Sequence, residues 1–365
     1  MTDSDRRDPL VAAAAAHWGP RIAHNGTDYL DFEQTVARID TWDDWCSEWG
    51  STATVYENLA RRAEDAGHAV TAAASWRRAG LCWHWAKFLF VVDPRQQRAA
   101  HDRAVDCFAR GAGGLRPPAT PVRVPYLDTA LAGYLRVPSI AGGTPPIVVM
   151  VPGLDSVKEE LQATAEHLLA RGLAVLAIDG PGQGESEYEL AIEPAYERVA
   201  TAVVDWCETE PTVDATRAGI FGVSLGGYYA ARSIAHEPRL RAGVDLAGPY
   251  TFGEEWDSLP PMTRAAFTHR SRSSDEREAR DAALRLTLGG AAAKITNPLL
   301  VVHGGRDRIV GLAHAERLAA EAPGAELLVY EDGNHGVTNR AFESRSAMAD
   351  WLAMKLGAVA PAPAV

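Results

Sequence analysis

Gly222-Val223-Ser224-Leu225-Gly226 follows the apolar run Ala218-Gly219-Ile220-Phe221 and opens the small-residue stretch Gly227-Tyr228-Tyr229-Ala230-Ala231. This order predicts a strand, a sharp turn with a hydroxyl at its apex, and a helix. A serine at such an apex sits in a strained backbone region, so its neighbours two before and two after need to lack a Cβ. The helix that starts there aims free N–H groups and its positive dipole end at any anion formed beside the hydroxyl. Alone the pattern is weakly specific, and the rest of the chain has to decide.

Outward from the turn, short apolar runs alternate with amphipathic segments. Val122 to Val124 and Leu131 to Val137 read as two antiparallel strands. Ile147 to Val151, Ala174 to Ile178, Gly243 to Leu246, Leu299 to Val302 and Leu327 to Tyr330 read as further strands, with helices between them at Glu159 to Arg171, Val199 to Glu208 and Ala313 to Ala322. Near-continuous apolar strands separated by helices imply an α/β fold, a mostly parallel sheet covered on both faces. Pro249 to Asn297 is too long for a simple connection and reads as a lid.

The first third has another texture. Asp31 to Gly114 is helical in pattern, with a hairpin over residues 54–66 and 69–90 broken at Gly67. Trp76, Ala79, Trp83, Ala86 and Phe90 recur at steps of three and four, an apolar seam on one helix face. The hairpin resembles a single tetratricopeptide-type unit, which cannot bury its own face and has to pack on something else. A Gly/Pro-rich joint, Gly111 to Pro118, follows. The expected domains are therefore a helical cap-like domain over 1–115, an α/β domain over 119–357 with the lid at 249–297, and a disordered Ala/Pro-rich tail at 358–365.

A length of 365 residues leaves room for a large core and a substantial cap. Lys+Arg 36 against Asp+Glu 48 gives a net charge of -12, which disfavours binding to nucleic acid or to an anionic membrane. The polar start from Met1 to Pro9 lacks an export signal, and no apolar run is long enough to span a bilayer. Cys46, Cys82, Cys107 and Cys207 are spaced for neither zinc nor a disulfide framework and read as buried thiols. The expectation is a soluble cytoplasmic protein acting on a small molecule, with no metal and no organic cofactor; a homodimer is left open.

In open α/β sheets, ligands gather at the carboxyl ends of the strands. Pro152-Gly153-Leu154-Asp155-Ser156 follows one strand, Asp179-Gly180-Pro181-Gly182-Gln183-Gly184-Glu185-Ser186 the next, and then comes the Ser224 turn. His303-Gly304-Gly305-Arg306-Asp307-Arg308 and Glu331-Asp332-Gly333-Asn334-His335-Gly336 end two later strands. A serine, an aspartate and a histidine thus appear in that order, each just past a strand. A serine hydroxyl needs a base, imidazole supplies one near neutral pH, and a carboxylate holds the ring. Ser224, Asp307 and His335 are the candidates, with the backbone N–H groups of Leu154 and Leu225 as an oxyanion hole. Asp245 is a rival acid inside an apolar run, His303 reads as a packing residue or pocket wall, and His84 as a core histidine. The 179–186 loop lacks the Lys-Ser/Thr of a phosphate cradle and reads as a shaped wall beside the turn. The charged run Arg270 to Arg280 reads as a solvated helical face of the lid.

The serine–aspartate–histidine order and these motifs, with Lys158-Glu159-Glu160 after the first turn, resemble a branch of the α/β-hydrolases. That branch holds 2,6-dihydroxypseudooxynicotine hydrolase and polyketide-shortening hydrolases, and the resemblance covers residues 120–356 best. It implies cleavage of a carbon–carbon bond next to a ketone by a Ser224–His335–Asp307 triad. It also implies a glutamate in the segment Thr251-Phe252-Gly253-Glu254-Glu255-Trp256, with Glu255 the first match and Glu254 the second. Glu254, Trp256 and Tyr250 are carried as substrate contacts. A carbanion is a far worse leaving group than an alkoxide, so a dedicated proton donor such as Glu255 has a physical use. Glu254 and Glu255 are equally well read as the solvated start of a helix. The N-terminal helices and the 249–297 segment are expected to close over the pocket. The same triad also suits an esterase or amidase, or a cyclase or acyltransferase.

Overall fold

The computed structural model describes residues 8–141 and 143–361. The very start of the polar leader region and residues 362–365 of the expected tail lie outside them. The chain divides into two compact units, Met1–Thr120 and Pro121–Val365.

The first unit is helical: α1 (Pro9–His24), α2 (Tyr29–Ala37), α3 (Trp45–Asp65), α4 (Ala69–Lys87) and α5 (Pro94–Ala112). Gly67 makes the turn between α3 and α4 at φ +73°, a conformation open to glycine without strain. The expected one-sided seam on α4 understates its burial. Trp76, Ala79 and Ala86 are buried as read, but so are Ser75, Leu81, Cys82, His84 and Trp85, because α4 lies between α3 and α5. The helix stops at Lys87, with Leu89 at φ +54°, so Phe90 packs from the following loop. The tetratricopeptide-like hairpin of α3 and α4 is thus covered by α5, whose Cys107 joins Ala60, Trp76 and Ala79 in one apolar cluster.

The second unit is built on an eight-stranded sheet in the order β1-β2-β4-β3-β5-β6-β7-β8. The strands are β1 (Thr120–Tyr126), β2 (Thr129–Arg136), β3 (Pro146–Val151), β4 (Ala174–Ile178), β5 (Asp214–Val223), β6 (Leu240–Leu246), β7 (Leu299–Gly304) and β8 (Ala325–Tyr330). β2 runs antiparallel to β4, and every pairing from β4 through to β8 is parallel. The helices are α6 (Gln162–Leu169), α7 (Glu197–Thr209), α8 (Leu225–His236), α9 (Pro261–Arg270), α10 (Glu276–Leu284), α11 (Leu312–Glu321) and α12 (Ala341–Leu356).

Alternation along β3 shows why the fold closes. Ile147, Val149 and Val151 enter one apolar core with residues of α7, α8 and α11, while Val148 and Met150 enter a second with residues of α6 and α12. Successive side chains point to opposite faces, and both faces are buried. The central strands were legible for that reason. β5 begins four residues before the apolar run because Asp214 already pairs with Pro146, ahead of a register shift that leaves Ala215 to Arg217 without partners in the ladder. β8 is an edge strand with exposed Glu326 and Leu327, so its first residues lack an apolar signature. The 249–297 segment holds α9 and α10. Among the described residues no helix is long and apolar enough to cross a membrane. The four cysteines are buried and free.

Candidate active site

The turn after β5 places Ser224 at φ 56° and ψ -123°, a strained conformation at the mouth of α8. A Cβ on Gly222 would collide with the Gly226 carbonyl, and one on Gly226 with the carbonyls of Val151 and Pro152. These two glycines allow the backbone to fold back on itself beside β3. The Ser224 N–H is anchored on the Leu246 carbonyl at 2.8 Å.

Two other strand ends complete the constellation. His335 Nε2 lies 2.9 Å from Ser224 Oγ, and His335 Nδ1 lies 2.8 Å from Asp307 Oδ2. The second Asp307 oxygen accepts the N–H groups of Ile309 and Val310 at 2.8 and 3.0 Å. Burial works to raise the Asp307 carboxyl, but His335, His303 and the Val310 N–H outweigh it and hold the group below the usual carboxylate range. An ionised, anchored carboxylate thus faces the imidazole. Gly336 and Val337, at φ 64° and 51°, bend the chain just past His335, and the buried Arg345 donates to the Gly336 carbonyl at 2.8 Å.

The rival acid Asp245 stands apart from this chain of hydrogen bonds. It is fully buried on β6, accepts the Gly248 N–H at 2.7 Å through one oxygen, and has no hydrogen-bond partner on the other among the described residues. Burial pushes its carboxyl up to about 7. His303 is also buried; its ring lies 2.9 Å from the Val310 carbonyl and 3.6 Å from Asp307. Desolvation lowers its pKa, so the neutral ring braces the loop that carries Asp307.

The turn after β3 lies against the serine. A Cβ on Gly153 would stand 3.2 Å from Ser224 Cβ and 3.8 Å from its Oγ. Leu225 opens α8, so its N–H has no carbonyl one turn earlier. The neighbouring loop over 179–186 is fastened to that turn. Asp179 accepts the Lys158 N–H at 2.8 Å and its ammonium at 2.9 Å. The buried ammonium also meets Glu159 and Glu185 at 2.7 and 2.9 Å. Burial opposes its charge, yet the three carboxylates prevail and raise its pKa.

The charged run Arg270 to Arg280 is not the solvated helical face that the sequence suggests. Arg270 is buried, not solvated: its guanidinium donates to the Leu154 carbonyl and pairs with Glu187 at 3.1 Å. The run also breaks between α9 and α10, so it forms no single helical face. The acidic pair that follows β6 sits against α11. His314 Nδ1 accepts the Tyr250 N–H at 3.1 Å, which leaves its proton on Nε2, 3.3 Å from Glu255. Ser258 Oγ donates to the other Glu255 oxygen at 2.9 Å. Glu254 is more exposed and faces Arg317 at 3.5 Å. The buried Tyr250 spends its hydroxyl on Glu321 at 2.5 Å, and Trp256 packs edge-on to Phe267 within the core. Gln183, Arg270 and His314 are contacts that no local sequence pattern announces. Among the described residues no group of His, Cys, Asp and Glu side chains is arranged to hold a metal.

The profile of the prolyl oligopeptidase family matches residues 159–359, and that of the FrsA-like esterases matches residues 23–252. The 2,6-dihydropseudooxynicotine hydrolase of Paenarthrobacter nicotinovorans is 33% identical over 92% of this chain and 90% of its own. The chain belongs to the α/β-hydrolases. The crystal structure of the 2,6-dihydroxy-pseudo-oxynicotine hydrolase superposes with a TM-score of 0.85 at 32% identity, over 95% of this chain and 98% of that one. The 20-hydroxy-prefusarin hydrolase of Gibberella moniliformis is 33% identical over 66% of this α/β-hydrolase and 61% of its own length. This α/β-hydrolase is an enzyme of the serine-hydrolase type, related to the hydrolases of small organic molecules named above.

Proposed function

We propose that Ser224 is the nucleophile, His335 the general base and acid, and Asp307 the group that orients the imidazole. The reaction proposed is hydrolysis of a carbon–carbon bond beside a ketone in an aromatic or polyketide-like small molecule. The unbroken hydrogen-bond chain from Asp307 through His335 to Ser224 carries this reading. The kinship with the two hydrolases named above supports the bond type.

Ser224 Oγ attacks the ketone as His335 Nε2 takes its proton, and the resulting oxyanion is met by the N–H groups of Leu154 and Leu225. Collapse breaks the carbon–carbon bond and expels a carbanion, which an electron-withdrawing neighbour must stabilise and a proton must quench. His335 gives back the proton it took, which leaves the imidazole neutral; Glu255, held by His314 and Ser258, is the proposed relay, passing its own proton to the carbanion and being re-protonated by that from His335. Water activated by His335 then cleaves the Ser224 ester. One water is consumed, and one carboxylic acid and one protonated fragment leave.

The FrsA-like esterase match favours ester hydrolysis as the second reading, with the same triad and an alkoxide leaving group. Aryl β-diketones and matched aryl esters, turned over in heavy-oxygen water, separate the two. Carbon–carbon cleavage predicts a carboxylate with one heavy oxygen from the diketone and none formed by Ser224→Ala. Rapid hydrolysis of the esters with intact diketones would establish the esterase instead.

A further inference from the structure

Three consecutive carbonyls in the turn after β3 are each captured by a side chain. Gln183 Nε2 donates to the Pro152 carbonyl at 2.5 Å and to the Gly153 carbonyl at 3.0 Å, and Arg270 takes the Leu154 carbonyl. The Gln183 amide orientation is fixed by its surroundings. Its Oε1 accepts the Gly180 N–H at 3.1 Å, so the NH2 has to face the two carbonyls. The side chain is fully buried, and its loop is pinned through Asp179, which accepts the N–H groups of Lys158 and Glu185 at 2.8 and 3.1 Å.

A trans peptide is planar, with its C=O and N–H pointing in opposite directions. The Gly153 carbonyl and the Leu154 N–H belong to one such plane. Holding the carbonyl on Gln183 therefore turns the Leu154 N–H the other way, and Gly153 is the residue whose Cβ position abuts Ser224. Donation to the carbonyl also polarises the N–H across the same plane. We propose that Gln183 is a positioning residue that sets the direction and strength of the Leu154 N–H as an oxyanion donor. This inference rests on the reading of Ser224 and Leu154 given above. Without the carboxamide the peptide is free to rotate, and the donor is lost from the transition state rather than from substrate binding.

Gln183→Met keeps the length and removes all three hydrogen bonds. Removing a whole oxyanion donor lowers kcat by roughly 10²–10³, so loosening one predicts a fall of about 10–100-fold on p-nitrophenyl butyrate, with KM within about 2-fold. An aryl trifluoromethyl ketone, which adds to serine to give a stable oxyanion, should lose affinity by the same factor. Endpoint titration with a fluorophosphonate should still count one site per chain, which separates misplacement from partial unfolding. An unchanged kcat, or a rise in KM alone, would overturn the proposal. Should Gln183→Met fail to fold, Gln183→Glu decides. Only its protonated form can donate to the carbonyls, so its rate relative to the parent should rise as pH falls; a flat ratio would overturn the role. Ser224→Ala keeps the two claims apart. If it retains the ester activity, the nucleophile assignment fails, whereas an inert Ser224→Ala beside an unimpaired Gln183→Met refutes the positioning role alone.

Discussion

Asp307→Asn tests the hydrogen-bond chain through a proton rather than through shape. Two N–H groups, from Ile309 and Val310, point at one Asp307 oxygen and require an acceptor there. The asparagine carbonyl has to take that place, so its NH2 replaces the oxygen 2.8 Å from His335 Nδ1. A donor facing Nδ1 forces that nitrogen to accept, which moves the ring proton to Nε2. The imidazole then donates to Ser224 Oγ instead of accepting from it, and the base is lost with the geometry intact. The scale for this tautomer error is about 10⁴ in kcat, or roughly 5.5 kcal/mol of barrier. The carbonyl and the NH2 of the asparagine both keep partners of the right sign, so stability should change by less than about 1 kcal/mol. The assay is steady-state hydrolysis of p-nitrophenyl butyrate and the rate of fluorophosphonate labelling, with thermal melting alongside. Activity within about 10-fold of the parent in a well-folded Asp307→Asn would refute the role of Asp307 and the tautomer reasoning together.

Other consequences can be checked independently. Glu255→Gln should slow diketone cleavage by about 10²-fold, in the range of general acid catalysis, while ester hydrolysis stays within a few-fold; equal effects on both would make Glu255 structural. Asp245 titrates at about 7 in the folded protein against an ordinary value of 3.8. Because the folded value is the higher, this carboxyl favours folding below 3.8 and progressively loses that contribution as pH rises through about 7. Asp245→Asn removes the titration, so its stability relative to the parent should rise by a few kcal/mol between pH 5 and 8. Denaturation at the two pH values reads that difference, and a pH-independent offset would contradict it.

The sheet and its strand-end residues were readable because their physics is local. Ala174 to Ile178 is sandwiched between helices and is apolar at every position, so its limits can be read residue by residue. Ser224 is announced by the glycines that its own turn demands, and His335 and Asp307 by their places just past strands. The burial of α4 on more than one face could not be read from a period, since it depends on α3 and α5 packing around it. Arg270 reads as a surface charge among its neighbours in sequence. It is buried because Leu154 and Glu187, distant in the chain, supply its partners. Gln183 was visible within a glycine-rich loop, but its two carbonyl partners are 31 and 30 residues away. Such long-range polar pairings leave no periodic mark.

The most direct measurement is peptide mapping after a fluorophosphonate reacts with the folded protein. A single adduct on Ser224, absent from Ser224→Ala and strongly slowed in His335→Ala, is the predicted result. A folded protein that stays unlabelled, or that carries the adduct on a different side chain, would contradict it.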